Sequence, residues 1–181
     1  VHDRREVTRR FVECLRAQGY PRCQLVLIDD GSTDGTEEMV RDAIPSATVI
    51  RGKGDWWWAG ALQQGCRWLK EQHASPEDVV LIINDDTQFD RDFVEKGVGL
   101  LRENRRTLVG AQAFDREGGD LLDAGRNVDW RRLTFDAAGS PEHLNCLSTR
   151  GLFMRVGDLQ GIGGFHPRLL PHYLSDYEFT I

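Results

Sequence analysis

Residues 79–87 read Val-Val-Leu-Ile-Ile-Asn-Asp-Asp-Thr. The five apolar β-formers Val79–Ile83 suit a strand buried on both faces, as in the middle of a parallel sheet. The run stops at Asn84, Asp85 and Asp86. Two adjacent carboxylates at the tip of a buried strand repel each other and are costly to desolvate. They are best tolerated where water reaches them or a cation lies between them. In open α/β sheets the carboxyl ends of strands are where ligands bind. A hard divalent cation there can bridge one or two carboxylates to phosphate oxygens. Either acid could instead cap the next helix. One cap requires neither a second acid nor an Asn, so the stretch favours a metal–phosphate site.

Outward from this strand the chain alternates. Asp3–Gln18 has apolar residues at helical spacing, Val7, Phe11, Val12, Cys14 and Leu15, and Gly19 ends it. Leu25–Ile28 and Thr48–Ile50 read as strands, with a helix over Glu37–Ala43 between them. Trp57–Gln72 and Arg91–Glu103 read as helices on either side of Val79–Ile83, and Leu108–Phe114 as a strand. Strands alternating with helices predict βαβ units and a mainly parallel sheet flanked by helices, an α/β fold. Beyond Gly118 the pattern changes to short polar strands at Leu121–Ala124, Asn127–Trp130 and Leu133–Asp136. A strand over Ser148–Met154, a short helix over Val156–Ile162 and a last helix from Tyr173 complete the chain.

The 181 residues fit one domain with a proper core. A net charge of −6 argues against a nucleic-acid binder, which would show a basic face. Arg-Arg pairs at 4–5, 9–10, 105–106 and 131–132 read as solvated surface. No apolar run approaches the roughly 18 residues needed to cross a bilayer, and no signal-peptide pattern is read. Cys14, Cys23, Cys66 and Cys146 lack metal-finger spacing and read as reduced, mostly buried thiols of a cytoplasmic protein. The chain starts without Met and stops inside a helical segment. A single domain over 1–181, incomplete at both ends, is therefore expected.

The strand Leu25–Ile28 also ends in acids, at Asp29-Asp30-Gly31-Ser32-Thr33-Asp34-Gly35-Thr36. Gly31 and Gly35 can take positive φ, and Ser32, Thr33 and Asp34 make turn bonds. Thr33 or Asp34 can cap the next helix, with Glu37 placed for a capping box. That accounts for the turn and leaves the paired acids before it unexplained. A carboxylate here can accept hydrogen bonds from a ribose hydroxyl or a base N–H. The stretch is neither a G-x-G-x-x-G nor a P-loop.

Ile28–Thr36 followed by Asn84-Asp85-Asp86 resembles the inverting family 2 glycosyltransferases of GT-A fold. The likeness extends through Gly54-Asp55-Trp56-Trp57-Trp58-Ala59-Gly60-Ala61, Gly163-Gly164-Phe165 and Tyr173–Phe179. The tryptophan motif is similar to the bacterial branch with rhamnosyl- and galactofuranosyl-type transferases. The resemblance implies that Asp30 meets the base of a nucleotide sugar, with Asp29 as strand-end support and Gly31 and Gly60 lining its pocket. It implies that Asp86 is the main ligand of Mg²⁺ or Mn²⁺ on the diphosphate. The family's Asp-x-Asp begins here with Asn84, which leaves Asp85 as the second acid. A family strand of the Pro-x-x-Asn type would lie just upstream of Val1.

Three consecutive tryptophans cannot all enter one core. Trp57 is the candidate to pack on a sugar's C–H face, as indoles do. Lys53 reads as a solvated loop lysine, and neither His166 nor His172 as a ligand. Asp176 lies in the first turn of the last helix, where acids are routine. The resemblance makes it the catalytic base. It also implies a nucleotide-diphosphate sugar donor and a glycan or lipid-linked acceptor, the latter met at the inner face of the membrane, in cell-surface polysaccharide synthesis. Two rivals are a sugar-phosphate nucleotidylyltransferase, whose Gly-rich triphosphate loop is not seen, and a non-catalytic glycan- or partner-binding module.

Overall fold

The computed structural model describes residues 1–105, 107–137 and 140–181. Arg106, from one of the arginine pairs, lies outside the described residues. Helix α1 spans Arg5–Arg16 and buries Thr8, Phe11 and Val12. Strand β1 (Val26–Asp29) leads into α2 (Thr36–Ala43), and β2 (Thr48–Arg51) returns parallel to β1 with Asp29 opposite Arg51. Next come α3 (Trp57–Glu71), β3 (Val79–Ile82), α4 (Phe93–Glu103) and β4 (Val109–Gly110). Two antiparallel ribbons follow, β5 (Ala113–Phe114) with β6 (Leu121–Asp123) and β7 (Arg126–Asp129) with β8 (Thr134–Ala137). Strand β9 (Leu152–Arg155), α5 (Val156–Ile162) and α6 (Ser175–Thr180) end the chain.

The alternation expected up to Glu103 is present, but in place of one mainly parallel sheet the strands form a parallel pair, β1–β2, and a separate antiparallel sheet of β3, β9 and β4. β9 lies between β3 and β4 and is antiparallel to both, with Ile82 and Gly110 each opposite Leu152. The reason lies between β4 and β9, where the described residues form two ribbons rather than a crossover helix and so bring β9 back antiparallel to β3 and β4. The strand expected over Leu108–Phe114 is split for a related reason. After Gly110 the chain leaves the edge of β9, and Ala113–Phe114 pairs with β6. The strand expected over Ser148–Met154 is shorter and later, at Leu152–Arg155.

β3 is also less enclosed than its composition suggests. Ile82 is buried, whereas Val79, Val80 and Leu81 are only partly so. Among the named strands β3 is bonded to β9 alone, so its other edge has no strand neighbour. The corresponding edge of β1 is taken by Val1. The Val1 nitrogen donates to the Ile28 carbonyl (2.7 Å), and the Asp30 N–H donates to the Val1 carbonyl (2.9 Å). That pair of bonds is one step of a parallel ladder opposite Asp29.

Two apolar clusters hold these elements. One joins Ala59 of α3, Ile82 of β3, Leu152 and Met154 of β9, Leu159 of α5, Phe165 of the loop after α5, and Phe179 of α6. The other joins Phe11 and Val12 of α1 to Leu27, Met39, Val40 and Ala47, with Val1, Ile83 and Phe89 against it. The thiols are less buried than expected, because only Cys146 is enclosed and Cys23 is exposed. All four are free, and burial pushes Cys66 and Cys146 up to about 11, where they stay protonated at neutral pH.

Candidate active site

The turn after β1 is built on its acids. Asp29 is fully buried and its Oδ1 accepts the Ser32 N–H (2.8 Å), while Oδ2 is buried without a partner among the described residues. Asp29 thus acts as strand-end support and has no surface to offer a ligand. Gly31 sits at φ +79°, and a Cβ there would come within 2.9 Å of the Lys53 and Gly54 backbone. Only glycine lets these two loops approach so closely. The cap differs from expectation. Gly35, in the left-handed region, is the N-cap of α2, and Asp34 accepts the Thr36 N–H (3.0 Å) and hydroxyl (2.5 Å) and the Arg5 N–H (2.8 Å). Glu37 pairs with Arg41 and Arg51 rather than closing a capping box.

Asp30 is 9 % exposed, and both its oxygens are engaged: Oδ1 accepts the Gly54 N–H and Oδ2 the Trp56 N–H, each at 2.8 Å. These charge-assisted bonds fasten the loop before α3 to the end of β1. His2 lies over the same place, its Nδ1 2.6 Å from the Asp30 carbonyl. The Asp3 N–H donates to the Ser32 hydroxyl (3.0 Å), and Asp3 Oδ1 accepts the Thr33 N–H (2.6 Å).

At the end of β3 the two acids share one arginine. Arg4 places Nη1 3.1 Å from Asp85 Oδ1 and Nη2 3.1 Å from Asp86 Oδ2. Asp85 Oδ2 also accepts the Thr8 hydroxyl (2.7 Å). Residues 1–8 therefore tie both acid pairs together. Sequence reasoning missed this segment, since Arg4 read as one of many surface arginines.

Mg²⁺ or Mn²⁺ takes hard oxygen ligands. The donor chemistry here suits one. The Asp86 side chain is half exposed, and Asn84 Oδ1 is a buried acceptor with no partner among the described residues. No cluster of three or more His, Cys, Asp or Glu side chains forms a metal cage among the described residues. The protein alone would supply part of a coordination shell, and phosphate and water oxygens the rest.

The second half of the site opens from α3. Trp57 adopts φ +55°, a strained conformation for a bulky residue, and its indole is 64 % exposed. It meets His172 edge to face, with centroids 5.9 Å apart. Trp56 and Trp58 are partly buried, and Lys53 is exposed. The Ala59 N–H donates to the Pro171 carbonyl (3.0 Å), and buried Gly60 faces Pro167 and Trp56. The start of α3 thus lies against loop 166–174, which leads through Leu174 (φ +64°) into α6. An exposed residue held in strain is expendable for stability. Trp57→Asn, which tolerates this conformation, should leave the melting temperature unchanged or raised; thermal melts check this.

Asp176, in the first turn of α6, is partly buried, and its Oδ1 accepts the Tyr177 N–H (3.0 Å). Burial raises its pKa above the usual carboxylate range, the Asp123 charge adds to that, and backbone N–H bonds from Tyr177 and Thr149 oppose it. Asp123 is a second functional candidate that went unread. It is 7 % exposed at the end of β6, whereas Leu121 and Leu122 beside it are about half exposed. That inverts the usual burial order and left no signal in the residue pattern. Ribbon β7–β8 leans on α6 through Phe135, stacked on Tyr177 at 6.0 Å. His166 pairs with Glu178 (2.9 Å).

The family model described as Glycosyl transferase family 2 matches residues 1–157. Among solved structures, TarS from S. aureus superposes with a TM-score of 0.72 at 18 % identity, over 99 % of this chain and 31 % of TarS. The chain thus spans about a third of that protein, and the likeness shows the GT-A fold. No curated protein matches the chain.

Proposed function

The chain belongs to glycosyl transferase family 2, and from that premise we propose that it moves a sugar from a nucleoside-diphosphate sugar to an acceptor hydroxyl with inversion. The observation that carries this reading is the arrangement of the acids. Those ending β1 and β3 are tied together by residues 1–8. Asp30 fastens the loop leading into α3, and the start of α3 meets the loop leading into Asp176. The donor's nucleoside lies at the Asp30 turn beside His2 and Gly31, and its sugar lies towards Trp57. Asp176, ionised, takes the proton of the acceptor hydroxyl as that oxygen attacks the anomeric carbon from the face opposite the diphosphate. With a single base and one displacement, no protein nucleophile is needed. A Mg²⁺ or Mn²⁺ ion held at Asp86, with Asn84 and Asp85 beside it, would supply positive charge against the departing diphosphate. A bacterial surface polysaccharide as the product, built on a glycan or lipid-linked acceptor, rests on the tryptophan motif. No helix of the described residues is long and apolar enough to cross a membrane.

Calorimetry with UDP, dTDP and their triphosphates, each with and without Mn²⁺, tests the reading. Diphosphate binding that strengthens with Mn²⁺ is the expected result. A preference for triphosphate points to nucleotidyl transfer, and no nucleotide binding points to a glycan- or partner-binding module; either outcome overturns the proposal.

A further inference from the structure

We propose that Arg4 is the resident counter-ion of the Asp85–Asp86 pair, and that a divalent cation reaches Asp86 by displacing it. This rests on reading Asp86 as the metal residue. The guanidinium forks across both acids, one nitrogen to each at 3.1 Å. It occupies the position between two carboxylates that a bridging cation would take.

The two halves of the fork are unequal. Asp85 is the fixed half, because its other oxygen accepts the Thr8 hydroxyl and its side chain is 11 % exposed. Asp86 is the loose half, at 51 %. The backbone around Arg4 is anchored on both sides, by the Asp3 N–H on Ser32 and the Arg5 N–H on Asp34. The Arg4 side chain is 42 % exposed, so the guanidinium can swing away from Asp86 without moving α1. Arginine does not lose its proton in proteins. The competition is therefore settled by position and charge, and salt weakens it. With Arg4 in place the pair carries one net negative charge, and with Arg4 withdrawn it carries two.

The test titrates the protein with Mn²⁺ alone and follows free Mn²⁺ by its electron paramagnetic resonance signal, for the parent, Asp86→Asn, Arg4→Gln and Arg4→Lys. Asp86→Asn should bind at least about tenfold more weakly, the scale set by removing one unit charge at contact distance in water. Arg4→Gln should bind about tenfold more tightly by the same measure. Arg4→Lys keeps the charge but cannot fork, so it should shift in the same direction by less, and it serves if the Gln variant does not fold. Weak binding by Asp86→Asn with neither Arg4 variant tighter than the parent overturns the role of Arg4 and leaves the metal reading standing. Equal binding by Asp86→Asn and the parent removes the metal reading and this proposal together.

Discussion

Asp176→Asn will lower the turnover of sugar transfer by about 10²–10⁴-fold, the usual worth of a positioned general base, while nucleoside-diphosphate affinity stays at the parent value. The amide keeps the shape of the side chain but cannot take the acceptor's proton. The pH dependence gives a second check. Burial, with the Asp123 charge added, raises the pKa of Asp176, so the acid limb of the parent's rate profile lies above the ordinary carboxylate range. As the proposed base Asp176 would work ionised, and transfer would then rise with pH through that raised value.

The same shift acts on stability with the opposite slope. A carboxyl whose folded pKa is raised contributes stability that is fully present below its unfolded pKa and lost as pH rises through its folded pKa. At neutral pH the ionised group is then a cost to the fold. Asp176→Asn should melt at or above the parent temperature at neutral pH, and the two should converge in acid. Urea or thermal melts across pH check this. A variant that transfers sugar at the parent rate removes Asp176 from the mechanism, and one that merely unfolds marks it as structural.

Phe153→Ala is expected to cost about 3–5 kcal/mol of stability, the range for truncating a buried phenylalanine. Phe153 is 2 % exposed on β9, with its ring 5.2 Å from that of Phe93. Below it lies Gly97 of α4, where any Cβ would overlap the ring. Gly97→Ala should by itself destabilise through overpacking, by about 1–3 kcal/mol. Placed in Phe153→Ala, the same alanine enters the vacated volume and should restore part of the loss. A double-mutant cycle by denaturant melts reads the coupling. Strict additivity of the two changes would show that the helix does not rest on this ring. β9 pairs with β3, which leads into Asn84–Asp86, so the packing also sets where those acids stand.

Much of this was legible in the residues because it is local. Periodicity and breakers marked the six α-helices of the described residues to within two residues at their ends, since each rests on a pattern within one segment. The turn at Asp29–Thr36 and the strand end at Asn84–Asp86 were found because runs of β-formers ending in paired acids are rare without a cause. Placing β9 between β3 and β4 was not legible, because it depends on a ribbon excursion whose direction no local pattern encodes. Asp123 escaped for the same reason: its burial comes from what folds over β6, not from its neighbours in sequence.

The chain by itself determined an α/β domain with acids at two strand ends and in a final helix, and the likeness that names its family. Tertiary structure alone decided that Arg4, 81 and 82 residues from Asp85 and Asp86 in sequence, lies across both of them. It likewise decided that Asp30 holds the loop before α3 and that Trp57 is strained outward. Hydrophobic period is a property of neighbours along the chain, whereas an ion pair or a loop anchor is a meeting of distant segments that only packing brings about.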